Sequence, residues 1–319
     1  MERSELLDVV RRPLSPDMQV EVPASREEYE RVQEMLENEQ VRYPQLWYDG
    51  TKHVAIVVAA PSPLHSRMAS ELINKINEEV KRSQGMDDAI ADGLSLDSDT
   101  TSTKGSTTRA WDSALLYTED DDETLMIAVE VGFSQTYESL RAAISWCVCA
   151  LRCRLGIAMS IHEEKRVMPL QVQYHASWHD ADTVVAEAKE AFRRQMVDCP
   201  FGPLVWNGMS WMGKISSVEI QTFRAPEEET YIPETLLNPT QSFIVISDGQ
   251  FVGGDVPSNL HEIVLGDCIP SHILSDGEVE TRPVNFFRRE WLDSKFRGAL
   301  LRTAIGRVER MNRVLEATE

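Results

Sequence analysis

Basic residues are in short supply in this chain: 32 Lys and Arg stand against 52 Asp and Glu over 319 residues, a formal net charge of -20. Binding to nucleic-acid phosphates needs Lys and Arg to displace condensed counterions, so this balance disfavours nucleic acid as a partner while leaving room for a local basic site. Long hydrophobic runs are also missing. No window approaches the roughly 20 apolar residues of a membrane span, and Met1 to Val10 mixes charges with a short apolar run, so neither a membrane partner nor a secretory leader is expected. The five cysteines are an odd number, and Cys147, Cys149 and Cys153 share one helical-looking segment. Reduced thiols in an intracellular compartment, cytoplasmic or nuclear, are the expectation. Positions two apart on a helix point in different directions, which favours buried thiols over a metal cluster. No internal repeat is visible. There is no phosphate loop with a following Lys and Ser or Thr, and no Gly-x-Ser-x-Gly nucleophile elbow.

What is present is an ordinary globular balance, 42% hydrophobic and 26% charged, enough to bury a core. Residues 1–45 form an N-terminal helical extension, in which Ser25 caps an acidic helix running to about Asn38 and Glu28 completes a capping box. A core follows over 46–165. It opens with Trp47 and Tyr48, an Asp49-Gly50 turn and a strand from His53 to Ala59. Leu64, Met68, Leu72, Ile76 and Val80 then recur at helical spacing to about Arg82. The stretch 84–108, rich in Ser, Thr, Asp and Gly, reads as an acidic flexible loop with too little apolar surface to order itself. A hairpin of Arg109–Tyr117 and Leu125–Phe133 comes next, then a helix from Tyr137 to about Arg154 and a strand through Ile157–Ile161. Strand, helix, strand at this spacing is a right-handed crossover with two parallel strands. Residues 166–319 form a strand-rich extension, with Val172–Trp178 extended and Asp182–Met196 helical. It closes on an arginine-bearing amphipathic helix from Phe286 to Leu315 whose apolar stripe packs on the core.

The residues that suggest chemistry are Asp112, in the first hairpin strand, and Glu130, in the second. Two carboxylates on neighbouring strands can converge on Mg²⁺, a hard cation that takes one or two carboxylates and keeps waters for substrate. Glu130 lies within Met126-Ile127-Ala128-Val129-Glu130-Val131-Gly132-Phe133, and a carboxylate there pays desolvation unless it binds a cation or finds partners. Glu71, on the preceding helix, is a third acid. His65 at a helix start reads as a capping or packing residue. His175 and His179 lack the Glu of a metalloprotease pattern and lie in an extended-looking segment.

The segment from Val129 through Glu130-Val131-Gly132-Phe133-Ser134-Gln135-Thr136 to Arg141, with Trp146 beyond, resembles the Glu-Val-Gly-x-Ser-x-Ser signature of fungal hypothetical proteins related to the PD-(D/E)XK nuclease superfamily. Pro63-Leu64-His65 is similar to that family's first core helix, and Arg109-Ala110-Trp111-Asp112-Ser113 stands where its Pro-Asp motif falls. The resemblance covers about 45–165, and more loosely extends to 270. It implies a restriction-endonuclease-like α-β-β-β-α-β core with a mixed central sheet. It further implies Mg²⁺, or Mn²⁺ as substitute, on Asp112, Glu130 and the Val131 carbonyl, with Glu71 as a helix acid. The motif lysine is replaced by Gly132. Arg141 is the basic residue placed to supply the missing charge, though a guanidinium cannot shuttle protons. Two functions are therefore expected to compete: a Mg²⁺-dependent nuclease or phosphodiesterase with an eroded site, and a catalytically inactive nuclease-fold protein that acts as a protein-interaction module.

Overall fold

The computed structural model describes residues 4–41, 44–83, 86–98, 101–133, 135–166, 181–225, 236–252, 263–274 and 277–316. In chain order the first elements are α1 (Glu5–Arg11), β1 (Gln19–Pro23), α2 (Arg26–Asn38), β2 (Gln45–Asp49), β3 (Val54–Val58) and α3 (Pro63–Lys81). Next come α4 (Asp88–Asp92), β4 (Leu94–Asp97), β5 (Thr101–Lys104), β6 (Thr107–Ala110), β7 (Ser113–Glu119), β8 (Asp122–Phe133), α5 (Tyr137–Ala150) and β9 (Leu155–Glu163). The remainder is α6 (Ala181–Asp198), β10 (Leu204–Trp206), β11 (Met209–Met212), β12 (Ile215–Phe223), β13 (Gln241–Ser247), β14 (Gln250–Phe251), α7 (Leu265–Cys268), α8 (Gly277–Glu280) and α9 (Arg289–Glu316).

Helix starts follow local chemistry. Ser25, Ser62 and Thr136 each sit in extended backbone and accept from the amide three residues on, those of Glu28, His65 and Ser139, which satisfies donors that the first turn leaves free. Glu28 does not complete its capping box by returning to Ser25; its carboxylate accepts from the Ser4 hydroxyl and so ties α2 to α1.

The strands form two large sheets. One is antiparallel, ordered β1-β3-β2-β6-β5, and the other is seven-stranded, ordered β14-β13-β12-β9-β8-β7-β4, with β10 and β11 as a separate ribbon. Within the larger sheet β8 and β9 run parallel, from Ile127 opposite Leu155 to Phe133 opposite Ile161, while its other pairs are antiparallel. This is an α/β architecture with a mixed central sheet, and α5 makes the expected connection between parallel strands.

Each face of the larger sheet has its own cover. Val129, Val131 and Phe133 point into the core shared with α3, α6 and α9, where Leu72, Phe192, Phe296 and Leu300 are fully buried. Removing each such side chain from water contributes about 1.5–3 kcal/mol. The opposite face carries α5 through Leu140, Ile144 and Val148. That helix lies close because Gly132 and Gly156 offer no side chain: a Cβ on Gly132 would stand 2.9 Å from Leu140, and one on Gly156 2.6 Å from Ile144.

Two expectations change. The stretch 84–108 is not one loop: α4, β4 and β5 and the start of β6 fall within it. Leu94 is buried as β4 pairs along β7, and the threonines of 101–108 are β-branched residues suited to an antiparallel pair with a wet face. Secondly, Arg109–Tyr117 is not one strand. β6 ends at Ala110 in the smaller sheet and β7 begins at Ser113 in the larger one, so Trp111 and Asp112 bridge the two sheets. The segment Val172–Trp178, with His175 and His179, lies outside the described residues. Among the described residues, no helix is long and apolar enough to cross a membrane.

The terminal helix docks as its stripe implies, with Phe296, Leu300, Ala304 and Val308 fully buried. Several of its basic residues are spent internally: Arg307 pairs with Glu163 at 2.7 Å and Lys295 with Glu71 at 3.0 Å. Thr303 fastens α9 to α3 by accepting from the Leu64 amide at 2.9 Å while donating to the Ala299 carbonyl. Thr303→Val should leave that amide unsatisfied and cost about 1–3 kcal/mol. Urea denaturation checks this, and a midpoint within error of the parent would refute the role given to Thr303.

Candidate functional site

The site is built where the chain changes sheets. β7 pairs with β8 only as far as Ser113 opposite Val129, so the end of β8 loses that neighbour. The Asp112 side chain takes the vacant place, its Oδ2 accepting from the Val131 amide at 2.7 Å. Trp111, 5% exposed, packs with the residues under α5.

The helix residue that reaches Asp112 is His65. Its Nε2 lies 2.9 Å from Asp112 Oδ2 as an ion pair, and its Nδ1 lies 3.1 Å from Asp17 Oδ1. Asp17 also accepts from the Ser62 amide at 2.7 Å, which joins it to the cap of α3. Burial opposes the charged imidazole, but the Asp112 and Asp17 carboxylates outweigh it and hold the His65 pKa well above its ordinary value. The ring is therefore a cation at neutral pH, its Nδ1 hydrogen-bonded to Asp17 and its Nε2 held by charge beside Asp112 without an aligned hydrogen bond. It is neither a ready general base nor a free metal ligand.

Glu130 lies on the α5 side of β8, in a floor of small residues. Its same-face neighbours along the strand are Ala128 and Gly132, and Ala158 stands opposite in β9. It is 4% exposed. Burial, then the Asp112 charge, push its pKa well above the usual carboxylate range, against smaller opposing effects of Arg109 and His65. Its Oε1 has no hydrogen-bond partner among the described residues. Burial and the neighbouring carboxyls likewise raise the Cys147 thiol, and burial carries Cys153 up to about 12. Neither is a ready nucleophile.

The remaining expected site residues are placed differently. Glu71 is held between Arg67 at 2.9 Å and Lys295 at 3.0 Å, in a network that fastens α3 to α9. Arg141 donates to the carbonyls of Leu237 and Leu236 and to Asn238 Oδ1, at 2.5, 3.1 and 2.7 Å, so its guanidinium anchors the 236–238 segment. Val131 meets Asp112 through its amide. The cations whose charge acts on Glu130 are Arg109 and His65. Arg109 lay in plain view three residues before Asp112, and His65 has a local signal in its place behind the Ser62 cap. Asp17 has none, because it joins His65 across 48 positions.

Asp17, His65, Asp112 and Gln135 border a cavity of about 30 Å³. That suits a water or a single ion and is too small for a phosphodiester. Together, fold and site define a mixed-sheet α/β protein with an internally neutralised cluster of acids and histidine at a sheet crossing. No protein-family model matches the chain, and no curated protein matches it.

Two outcomes follow from this geometry. Both raised groups hold a proton in the folded chain that the unfolded chain releases earlier. The stability from Glu130 is complete below its ordinary value of 4.5 and declines as pH rises through the raised one. The stability from His65 is complete below 6.5 and declines likewise. Glu130→Gln should flatten the fall in urea midpoint that begins above pH 4.5, and His65→Gln the part that begins above 6.5. Slopes unchanged in both variants would contradict the assigned protonation. Separately, Gly132→Lys should destabilise the fold, because the new side chain meets Leu140 under α5; a loss of about 1–3 kcal/mol is expected by overpacking. A stable variant with gained Mg²⁺-dependent cleavage would show that this face opens.

Proposed function

We propose that this chain is a nuclease-like α/β protein whose acidic pair has become a closed structural cluster, and that it works by binding. The observation that carries this reading is geometric: Glu130 is buried, 4% exposed, beneath α5, and Asp112 is already ion-paired with His65. Metal catalysis needs accessible carboxylates, and here one is buried and the other is occupied. Gly132 in place of the motif lysine, and an Arg141 committed to carbonyls, support the same reading. So does the excess of acid over base in the composition.

A second reading, a Mg²⁺-dependent nuclease or phosphodiesterase on a restriction-endonuclease-like core, is favoured by the unpartnered Oε1 of Glu130. In that reading Asp112, Glu130 and the Val131 carbonyl hold the ion, which supplies a Lewis acid for phosphodiester hydrolysis. One assay separates the two. Single- and double-stranded DNA and RNA are incubated with the protein and Mg²⁺ or Mn²⁺, with Glu130→Gln in parallel. Binding without catalysis predicts no cleavage above background in either. Metal-dependent cleavage that Glu130→Gln abolishes would overturn it in favour of the nuclease.

A further inference from the structure

A larger cleft opens beside the buried cluster, between the smaller sheet and the first turns of α5. It encloses about 390 Å³, and Arg109, Lys52, Thr107, Thr136, Ser139 and Trp146 are among its walls. Its size falls within the usual range for small-molecule sites, roughly 300–1,000 Å³.

Arg109 gives the cleft its chemistry. The side chain rises from β6, half-buried, and makes no hydrogen bond or ion pair among the described residues. Its field still reaches Asp49 and Glu130, adding to the hydrogen bonds that lower the Asp49 pKa and opposing the burial that raises that of Glu130. Most other arginines that line the body are spent, as Arg307 and Arg141 are. A guanidinium held in a cleft and left unpaired matches a carboxylate or phosphate, either of which can take two of its N–H groups on two oxygens at once. Lys52, with its side chain 63% exposed and 3.9 Å from Asp49 Oδ2, adds a second positive charge to the lining.

The acids of the cleft narrow the ligand. Asp49 Oδ1 already accepts from the Thr51 amide, the Thr51 hydroxyl and the Lys52 amide, at 3.0, 2.6 and 3.3 Å, so that carboxylate is committed to its own turn. Glu21 and Glu138 also line the space. They offer acceptors to hydroxyl groups and oppose an extended polyanion, whose further charges would lie against them. Thr107 and Thr136 add neutral hydroxyls to the lining, that of Thr136 already accepting from the Ser139 amide as the cap of α5.

We propose that this cleft binds a small organic anion, a phosphate monoester or carboxylate carried on a polyhydroxylated body, with Arg109 as its anchor. The proposal rests on the binding reading above and names its ligand class. Its test is separate from the cleavage assay, since a silent Asp112–Glu130 pair and an empty cleft are distinguishable results.

The test is calorimetric titration of the full chain with ribose 5-phosphate, gluconate, inorganic phosphate and uncharged ribose. The two charged polyols distinguish phosphate from carboxylate recognition. Saturable binding is expected for at least one of them, weaker binding for inorganic phosphate, and none for ribose. Arg109→Gln should weaken the bound probe by about tenfold or more, the loss of a charge-assisted pair. Should that variant fail to fold, Arg109→Lys and Lys52→Gln decide, because the first keeps the charge and the second alters a largely exposed side chain; each should weaken binding about threefold or more. Absence of saturable binding for both charged polyols would overturn the proposal. So would affinity unchanged in a folded Arg109→Gln, or in both of the milder variants.

Discussion

The architecture turns on one carboxylate. Asp112 stands at the step between two sheets, where β8 has run past its neighbour and would otherwise leave the Val131 amide open. An unsatisfied amide in that position would cost about 1–3 kcal/mol. By also meeting His65, Asp112 fixes the start of α3 against the crossing, and through His65 and Asp17 it reaches the Ser62 cap. One side chain thus couples the smaller sheet, the larger sheet and the helix of the main core. Charges in so enclosed a place interact strongly, and that is why the histidine keeps its proton.

Packing above the sheet decides the fate of the second carboxylate. α5 settles low because Gly132 and Gly156 leave nothing to hold it off. That close approach buries Ile144 and Val148 and shuts Glu130 away from water. Stability and chemistry are opposed here, because the contact that completes the hydrophobic layer also closes off the carboxylate. The imidazolium of His65 offsets the Asp112 charge, while burial and that same carboxylate raise the Glu130 pKa.

Much of the fold was legible before any coordinates. The periodicity from Leu64 to Val80, the caps at Ser25, Ser62 and Thr136 and the strand-helix-strand spacing around α5 each describe something local, and each reappears in its place. Composition misled at 84–108, where Ser, Thr and Asp suggested a loop. Pairing with β7 and within the smaller sheet turned much of that stretch into strands. Asp112 and Glu130 stood out by type and setting. Glu71 and Arg141 were sensible sources of charge, but their partners, Lys295 and the 236–238 segment, lie far along the chain.

The sequence by itself determined where helices begin, which strands are apolar and that a carboxylate would be embedded among them, because these depend on neighbours within a few residues. Only the tertiary structure decided which charges meet. Asp17 finds His65 across 48 positions and Lys295 finds Glu71 across 224, and no spacing rule reaches that far. Protonation followed from the same cause: a pKa is set by burial and by the charges that folding brings near, so the state of Glu130 and His65 came into being only when the two sheets and α5 closed around them.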